Sequence, residues 1–208
     1  MTLTTSAILA ALLHLPPAVT DRSEDPRARE ARLSEVATSV SSAVSHATCL
    51  GAWDRIDCRR IWGGEPVVLA GAVLALGYGE SHYAAYVGED RCHDGPRGAR
   101  CDNGKARGYW QAWAVAAPDL HALPVGAPER VRVAAWAATR LLVGAYGFCD
   151  RDWAGAFGRY GGASCRSNRP DSARKVRTMW ALVRELRRHS AEEPLQPWPA
   201  EPPLPPSR

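Results

Sequence analysis

Residues 66–83, with the sequence PVVLAGAVLALGYGESHY, decide the fold of this chain. The segment is apolar almost without interruption from Val67 to Leu76. Pro66 suits the first turn of a helix, because an amide at that position has no partner within the helix to lose. We therefore predict a buried central helix that begins at Pro66 and runs to about Val87.

One acidic residue, Glu80, interrupts this apolar pattern. On a 3.6-residue period it shares a face of the predicted helix with Leu69, Val73, Leu76, Tyr83 and Val87. A carboxyl group there would be partly removed from water, which disfavours its charged form and suits a general acid that must hold a proton near neutral pH. The alternative is that Glu80 lies just past the helix, after Gly77 and Gly79, and faces solvent.

The chain before the central helix predicts two helices and a loop. Residues 7–15 indicate a short first helix; the alternative is the apolar part of a signal peptide, although no Lys or Arg precedes them. Asp25 can cap a second helix with Pro26 in its first turn. The apolar residues of this helix recur at helical spacing: Leu33, Val36, Val40, Val44 and Ala47. Residues 49–65 predict a loop.

The chain after the central helix predicts a lobe and three further helices. Residues 88–109 are rich in Gly, Asp, Arg and Cys without a sustained period, so they favour an irregular lobe or a short hairpin. A short helix is expected over residues 110–117, a longer one opens at Pro128 and ends at Gly147, and the last follows Asp171. Its basic residues are expected to form a solvated face: Arg174, Lys175, Arg177, Arg184, Arg187 and Arg188.

These elements predict a mainly α-helical fold with a small irregular or β-containing lobe. One domain is expected over residues 1–189, with its core at 66–165, followed by a flexible tail over 190–208 that holds seven prolines. No apolar run approaches the roughly 20 residues that cross a bilayer, so we expect no transmembrane segment.

The charge of the chain is mildly basic. There are 26 Lys and Arg residues against 22 Asp and Glu, a net charge of +4. Only Lys105 and Lys175 are lysines, so the arginine content indicates a codon bias and is discounted as a functional signal. We expect no specific nucleic-acid partner; a nucleic-acid binder using the Arg-rich last helix is a weaker alternative.

Six cysteines favour an oxidising compartment. Cys49 and Cys58 are nine positions apart, as are Cys92 and Cys101, while Cys149 and Cys165 are sixteen apart. Pairing of nearest neighbours would give three local disulfides, and a reduced set of buried thiols is the alternative. Close C-x2-C pairs typical of zinc sites are missing from the sequence, and we expect no metal.

Aromatic and amide side chains cluster near Glu80 in the sequence and again at Gly108-Tyr109-Trp110-Gln111. Aromatic faces pack on the C–H faces of sugar rings, and amides exchange hydrogen bonds with hydroxyl groups, so this pattern suits a carbohydrate. Packing in the core is the alternative.

In this order the motifs resemble the catalytic core of the lytic transglycosylases of the lysozyme-like superfamily. Glu80-Ser81 ends a buried apolar helix, Gly108-Tyr109-Trp110-Gln111 follows, and an Ala/Tyr/Gly element spans residues 156–162. The family pattern is Glu-Ser, then Gly-Leu-Met-Gln, then Ala-Tyr-Asn. This chain departs from it at Tyr109-Trp110, at Gly161 in place of the asparagine, and in the Cys-bounded insertion between the first two motifs.

The resemblance implies a lysozyme-like fold and a role for each matching residue. Glu80 would be the catalytic acid/base, and Ser81 would orient it or the substrate. Gly108 and Gln111 would shape and line a sugar groove. Tyr109 and Trp110 would also bind the substrate in this groove. Tyr160 would hold the glutamate.

The resemblance also implies the reaction: cleavage of the β-1,4 bond between N-acetylmuramic acid and N-acetylglucosamine in peptidoglycan, with a 1,6-anhydro product and no cofactor. A hydrolytic muramidase is one alternative, with Asp90, Asp94 or Asp102 as its second carboxylate. A lysozyme-fold module that binds glycan without cutting it is another. We expect a monomer that is extracytoplasmic or phage-associated.

Overall fold

The computed structural model describes residues 3–47, 65–91, 105–166 and 170–192. Within these ranges the protein is mainly α-helical with one small antiparallel sheet, as the sequence predicts. The helices are α1 (Thr5–Leu13), α2 (Pro26–Ala47), α3 (Pro66–Ser81), α4 (Ala85–Gly88), α5 (Pro118–Ala122), α6 (Arg130–Phe148), α7 (Trp153–Tyr160) and α8 (Pro170–Glu192), with a 3-10 turn at Val19–Asp21. The strands are β1 (Ala106–Arg107) and β2 (Ala112–Trp113).

Helix α3 is the buried centre of the fold. Residues 67–77 are all buried, so the helix is enclosed on every side rather than along one face. Helix α8 packs along it, and α2 joins it to α1 and α6. The two helices approach closely at Gly71, where a Cβ atom would lie 2.6 Å from Val183 Cγ2 and 3.2 Å from the Met179 carbonyl oxygen of α8. Glycine at this position lets the two helix backbones come together.

Helix α3 ends at Ser81, so the prediction of a helix to about Val87 is wrong. His82 and Tyr83 both have positive φ angles, 52° and 54°, which break the helix before the short α4. The Tyr83 hydroxyl then donates to the Leu74 carbonyl oxygen at 2.9 Å. Its ring occupies the space that a Cβ on Gly77 would fill. Packing of Tyr83 back onto the helix therefore decides where α3 stops.

The segment 110–117 forms no helix, which corrects the prediction made from its sequence. It contains β2, which pairs with β1 so that Ala106 faces Trp113 and Arg107 faces Ala112. Trp110 is fully buried, and its indole Nε1 donates to the Val73 carbonyl oxygen at 2.9 Å. This long-range bond and the burial of the ring outweigh a weak local preference for helix.

The other predicted helices are present with shifted ends. Asp25 Oδ1 accepts from the amides of Arg27 and Ala28 at the start of α2, which confirms the predicted cap. Helix α6 begins at Arg130 rather than Pro128, and α8 runs to Glu192, past the predicted start of the tail. In the described parts of the chain no helix is both long and apolar enough to cross a membrane.

A disulfide joins Cys149, at the end of α6, to Cys165, just after α7. This confirms the third predicted pair. The other two predicted pairs, Cys49–Cys58 and Cys92–Cys101, lie outside the described residues. The Cys149–Cys165 bond clamps α7 against the end of α6, and both helices help to form the groove described next.

Candidate active site

A groove of about 950 Å³ opens beside the carboxyl end of α3. Helices α6 and α7 and the turn around β2 form its walls. Its lining includes Glu80, Gln111, Trp113, Arg140, Phe148 and Tyr160. The fold therefore brings together one residue from each of the three sequence motifs: Glu80, Gln111 and Tyr160.

Glu80 lies in the last turn of α3, one residue before its end, so the helix does reach it. Its side chain is 23% exposed, intermediate between the two situations that the sequence left open. Oε1 accepts a hydrogen bond from Lys175 Nζ of α8 at 2.5 Å. In the substrate-free protein Glu80 is thus partly desolvated and ion-paired.

Lys175 also reaches Asp171, one turn earlier on α8, at 2.8 Å between Nζ and Oδ2. Burial by itself raises the pKa of Asp171, but the hydrogen bonds and charges of Lys175 and Arg174 outweigh it and lower that pKa. The Lys175 side chain is only 4% exposed. The prediction that Lys175 belongs to a solvated basic face is therefore wrong.

Tyr160, at the end of α7, faces the groove with its hydroxyl tied to the protein. The hydroxyl donates to the Trp110 carbonyl oxygen at 2.8 Å. Burial, and then the negative charge of Glu80, raise the pKa of Tyr160 well above that of a free tyrosine. The phenol therefore stays protonated, and its one O–H is used in the hydrogen bond to the Trp110 carbonyl oxygen.

Gly108 and Gln111 shape the turn between the two strands. Both have positive φ angles, 67° and 50°, and Gln111 Nε2 donates to the Gly108 carbonyl oxygen at 2.9 Å. A Cβ on Gly108 would lie 3.1 Å from Ala134 Cβ of α6, so a larger residue would strain both the backbone and the packing. Gln111 lines the groove, whereas Gly108 is not part of the lining and accepts the hydrogen bond that holds the Gln111 side chain.

Three other predicted site residues lie beneath the groove rather than in its lining. Ser81 Oγ donates to the Gly77 carbonyl oxygen and accepts from the Tyr83 amide, so it fixes the end of α3. Tyr109 and Trp110 are buried, with ring contacts to each other and to Tyr83. Burial raises the pKa of Tyr109 to about 12. Other side chains, which line the groove, are therefore the ones placed to contact a ligand.

Glu80 is the one carboxylate among the described residues that line the groove. Asp90, the candidate second carboxylate, is ion-paired with Arg130 and lies 3.8 Å from Arg107. It also accepts from the Gly108 amide at 3.2 Å. These partners give Asp90 a structural role in the lobe. Asp94 and Asp102 lie outside the described residues.

Phe148 escaped the sequence analysis, whereas Trp113 belongs to the same aromatic stretch as Gln111 but was not among the predicted site residues. Phe148 is 66% exposed, with the Arg159 guanidinium 4.5 Å from its ring centre, and Trp113 is 47% exposed. Large apolar side chains left open in a groove mark a binding surface. Lys175 was misassigned, although it shares a 4-3-4 spacing with buried Met179, Leu182 and Leu186, a signal that places it on the core-facing side of α8.

Outside the groove, among the described residues, His14, Glu185 and His189 place potential metal ligands within 4.8 Å of one another. Arg188 Nη1 already bonds Glu185 Oε2 at 2.9 Å. We assign no metal to this cluster, because that arginine competes for the carboxylate.

Comparison of the chain with models of protein families, with curated proteins and with solved structures finds no match. The groove itself therefore carries the functional assignment.

Proposed function

We propose that this protein is a lytic transglycosylase that cleaves the N-acetylmuramic acid β-1,4 bond of peptidoglycan, with Glu80 as its acid and base. One observation carries the proposal: Glu80, Gln111 and Tyr160, which stand far apart in the sequence, line the same groove. Each belongs to one of the three motifs that resemble the lytic transglycosylase core, and Gly161 and Gly162 of the third motif line the groove as well.

The chemistry needs only one carboxyl group. The protonated Glu80 gives its proton to the glycosidic oxygen as the bond from that oxygen to the muramoyl C1 breaks. The resulting carboxylate then takes the proton of the muramoyl C6 hydroxyl while O6 attacks C1. The product is a 1,6-anhydro ring, and Glu80 regains its proton for the next cycle.

The groove favours this outcome over hydrolysis. A hydrolysing muramidase usually has a second carboxylate that activates water or stabilises the cation. Among the described residues Glu80 is the one carboxylate in the groove lining, and Asp90, which is ion-paired with Arg130, is not part of that lining.

The remaining features of the groove suit a sugar polymer with negative charges. Trp113 and Phe148 offer exposed aromatic faces for sugar rings. Arg140 and Arg159 lie in the same lining and would attract an anionic wall, an attraction that salt weakens. The disulfide supports action in an oxidising, extracytoplasmic compartment, and the geometry needs no cofactor.

The test is mass spectrometry of the muropeptides released from purified peptidoglycan by the wild-type protein and by Glu80→Gln. We expect the wild type to release products one water lighter than reducing muropeptides, and the variant to release none while it still sediments with the wall. Reducing-end products would show hydrolysis instead, and would make Asp94 and Asp102 the next candidates.

A non-catalytic glycan-binding module is the second candidate. The Lys175–Glu80 ion pair favours it, because the carboxylate is already engaged in the free protein. If neither protein releases soluble products while both sediment with the wall, this second function replaces the first.

A further inference from the structure

Lys175 is a buried cation placed against the proposed catalytic carboxylate. With 4% of its side chain exposed, its ammonium group has lost most of its water and depends on its two partners, Glu80 and Asp171. The contact to Glu80 joins α3 and α8 across 95 positions of sequence. Asp171, which is 47% exposed, stands at the solvent side of this bridge.

The helix carrying Glu80 is shaped to admit this lysine. A Cβ on Gly79, the residue before Glu80, would lie 2.4 Å from Lys175 Cε and 2.9 Å from its Cγ. The lysine stem therefore runs over the bare backbone of Gly79. The chain otherwise uses arginine almost everywhere, with lysine only at 105 and 175. The lysine stem fits against Gly79, and its ammonium group is more compact than the planar guanidinium of an arginine.

We propose that Lys175 is the positioning residue of Glu80: it fixes the carboxylate in the groove and balances its negative charge, while Asp171 holds the ammonium group. This inference rests on the proposed catalytic role of Glu80. The ammonium group stabilises the carboxylate that forms once Glu80 has given up its proton, which is the state that later deprotonates the C6 hydroxyl.

The other charged and titratable groups around Glu80 have different partners. On α7, the Tyr160 hydroxyl donates a hydrogen bond to the Trp110 carbonyl oxygen, and the Arg159 guanidinium lies over the Phe148 ring. Arg140 of α6 donates to the Ala116 carbonyl oxygen. Arg174 of α8 bonds Asp171, and on the side of α3 the His82 ring contacts Tyr78. Among the described residues, Lys175 is the cation bonded to Glu80.

The experiment measures kcat and KM for release of anhydro-muropeptides by the wild type and three variants. Lys175→Met keeps the stem and removes the charge, Lys175→Arg keeps the charge, and Gly79→Ala pushes the lysine away without altering either charge. Arg132→Met, at an exposed site on α6, controls for loss of one positive charge. Circular dichroism and thermal unfolding confirm that each variant is folded.

We expect kcat of Lys175→Met to fall about tenfold, because a misplaced Glu80 loses part of the rate enhancement that general acid–base catalysis supplies. Its KM should stay close to that of the wild type, because the side chains that line the groove are unchanged. Gly79→Ala should lower kcat in the same way because it displaces the lysine, Lys175→Arg should restore less than full activity, and Arg132→Met should match the wild type. An unchanged kcat, or a loss that appears only in KM, in Lys175→Met overturns the inference.

The carbon-13 NMR signal of the Glu80 carboxyl, recorded at one fixed pH, separates this inference from the proposed function. A signal that moves in both Lys175→Met and Gly79→Ala, in a protein whose wild type releases no product, would contradict the transglycosylase and retain the pairing. A signal that stays in place in both variants would overturn the pairing, whatever the activity.

Discussion

At the scale of single residues, the candidate site depends on hydrogen bonds that tie the ends of separate elements together. Tyr160 is one example: its hydroxyl joins the end of α7 to the backbone of Trp110, next to groove residue Gln111. Lys175 is another, joining α8 to the last turn of α3. Each bond spans at least 50 positions of sequence, so each reports that the helices are correctly docked.

Tyr160→Phe tests the first of these bonds. The variant keeps the ring but leaves the Trp110 carbonyl oxygen without this donor, so we expect a loss of about 1–2 kcal/mol in the free energy of unfolding, measured in urea. Tyr86→Phe is the control, because the Tyr86 hydroxyl donates no hydrogen bond to the described residues. Equal stability of the two variants would mean that the Tyr160 bond does not contribute.

At the scale of elements, the contact between α3 and α8 places Lys175 beside Glu80. Gly71 lies at a tight point of this contact, where an added methyl group would come within 2.6 Å of Val183 Cγ2 and 3.2 Å of the Met179 carbonyl oxygen. Further along the same helix, Gly79 makes room for the lysine stem. Two glycines on α3 therefore control how α8 lies on it, one for packing and one for the site.

Gly71→Ala tests this packing. The added methyl group would collide with Val183 and approach the Met179 carbonyl, so overpacking of about 1–3 kcal/mol should exceed the gain in helix propensity and destabilise the protein. Gly144→Ala in α6 is the matched control, since its Cβ would meet nothing within 4 Å. There we expect a gain of roughly 0.5–1 kcal/mol. Thermal and urea unfolding measure both, and a stabilised Gly71→Ala would contradict the close approach.

At the scale of the whole molecule, the groove is a space between elements rather than a property of one of them. Its floor is the end of α3, its walls are α6 and α7, and the β turn closes one side. The disulfide fixes the relation between the two walls, because it joins the end of α6 to the segment after α7.

Replacing Cys149 and Cys165 together by serine should therefore affect stability more than any single groove residue. Loss of a disulfide that closes a 16-residue separation is expected to cost about 3 kcal/mol in the free energy of unfolding. The double variant is preferable to a reducing agent, because a reductant also acts on the other four cysteines. An unchanged urea midpoint would show that the bond does not constrain the unfolded chain.

Local patterns in the sequence determined the buried helix that starts at Pro66, the cap at Asp25, the strand β1 within the predicted lobe and the Cys149–Cys165 pairing. These depend on neighbouring residues, whose spacing and hydrogen bonds are readable along the chain. Only the tertiary structure decided that α3 stops at Ser81, that residues 110–117 turn into a strand, and that Lys175 leaves the solvent to pair with Glu80. The reason is physical: bonds such as Trp110 to Val73 and Lys175 to Glu80 form only when docking brings distant backbone and side chains together, and their energy then overrides local preference.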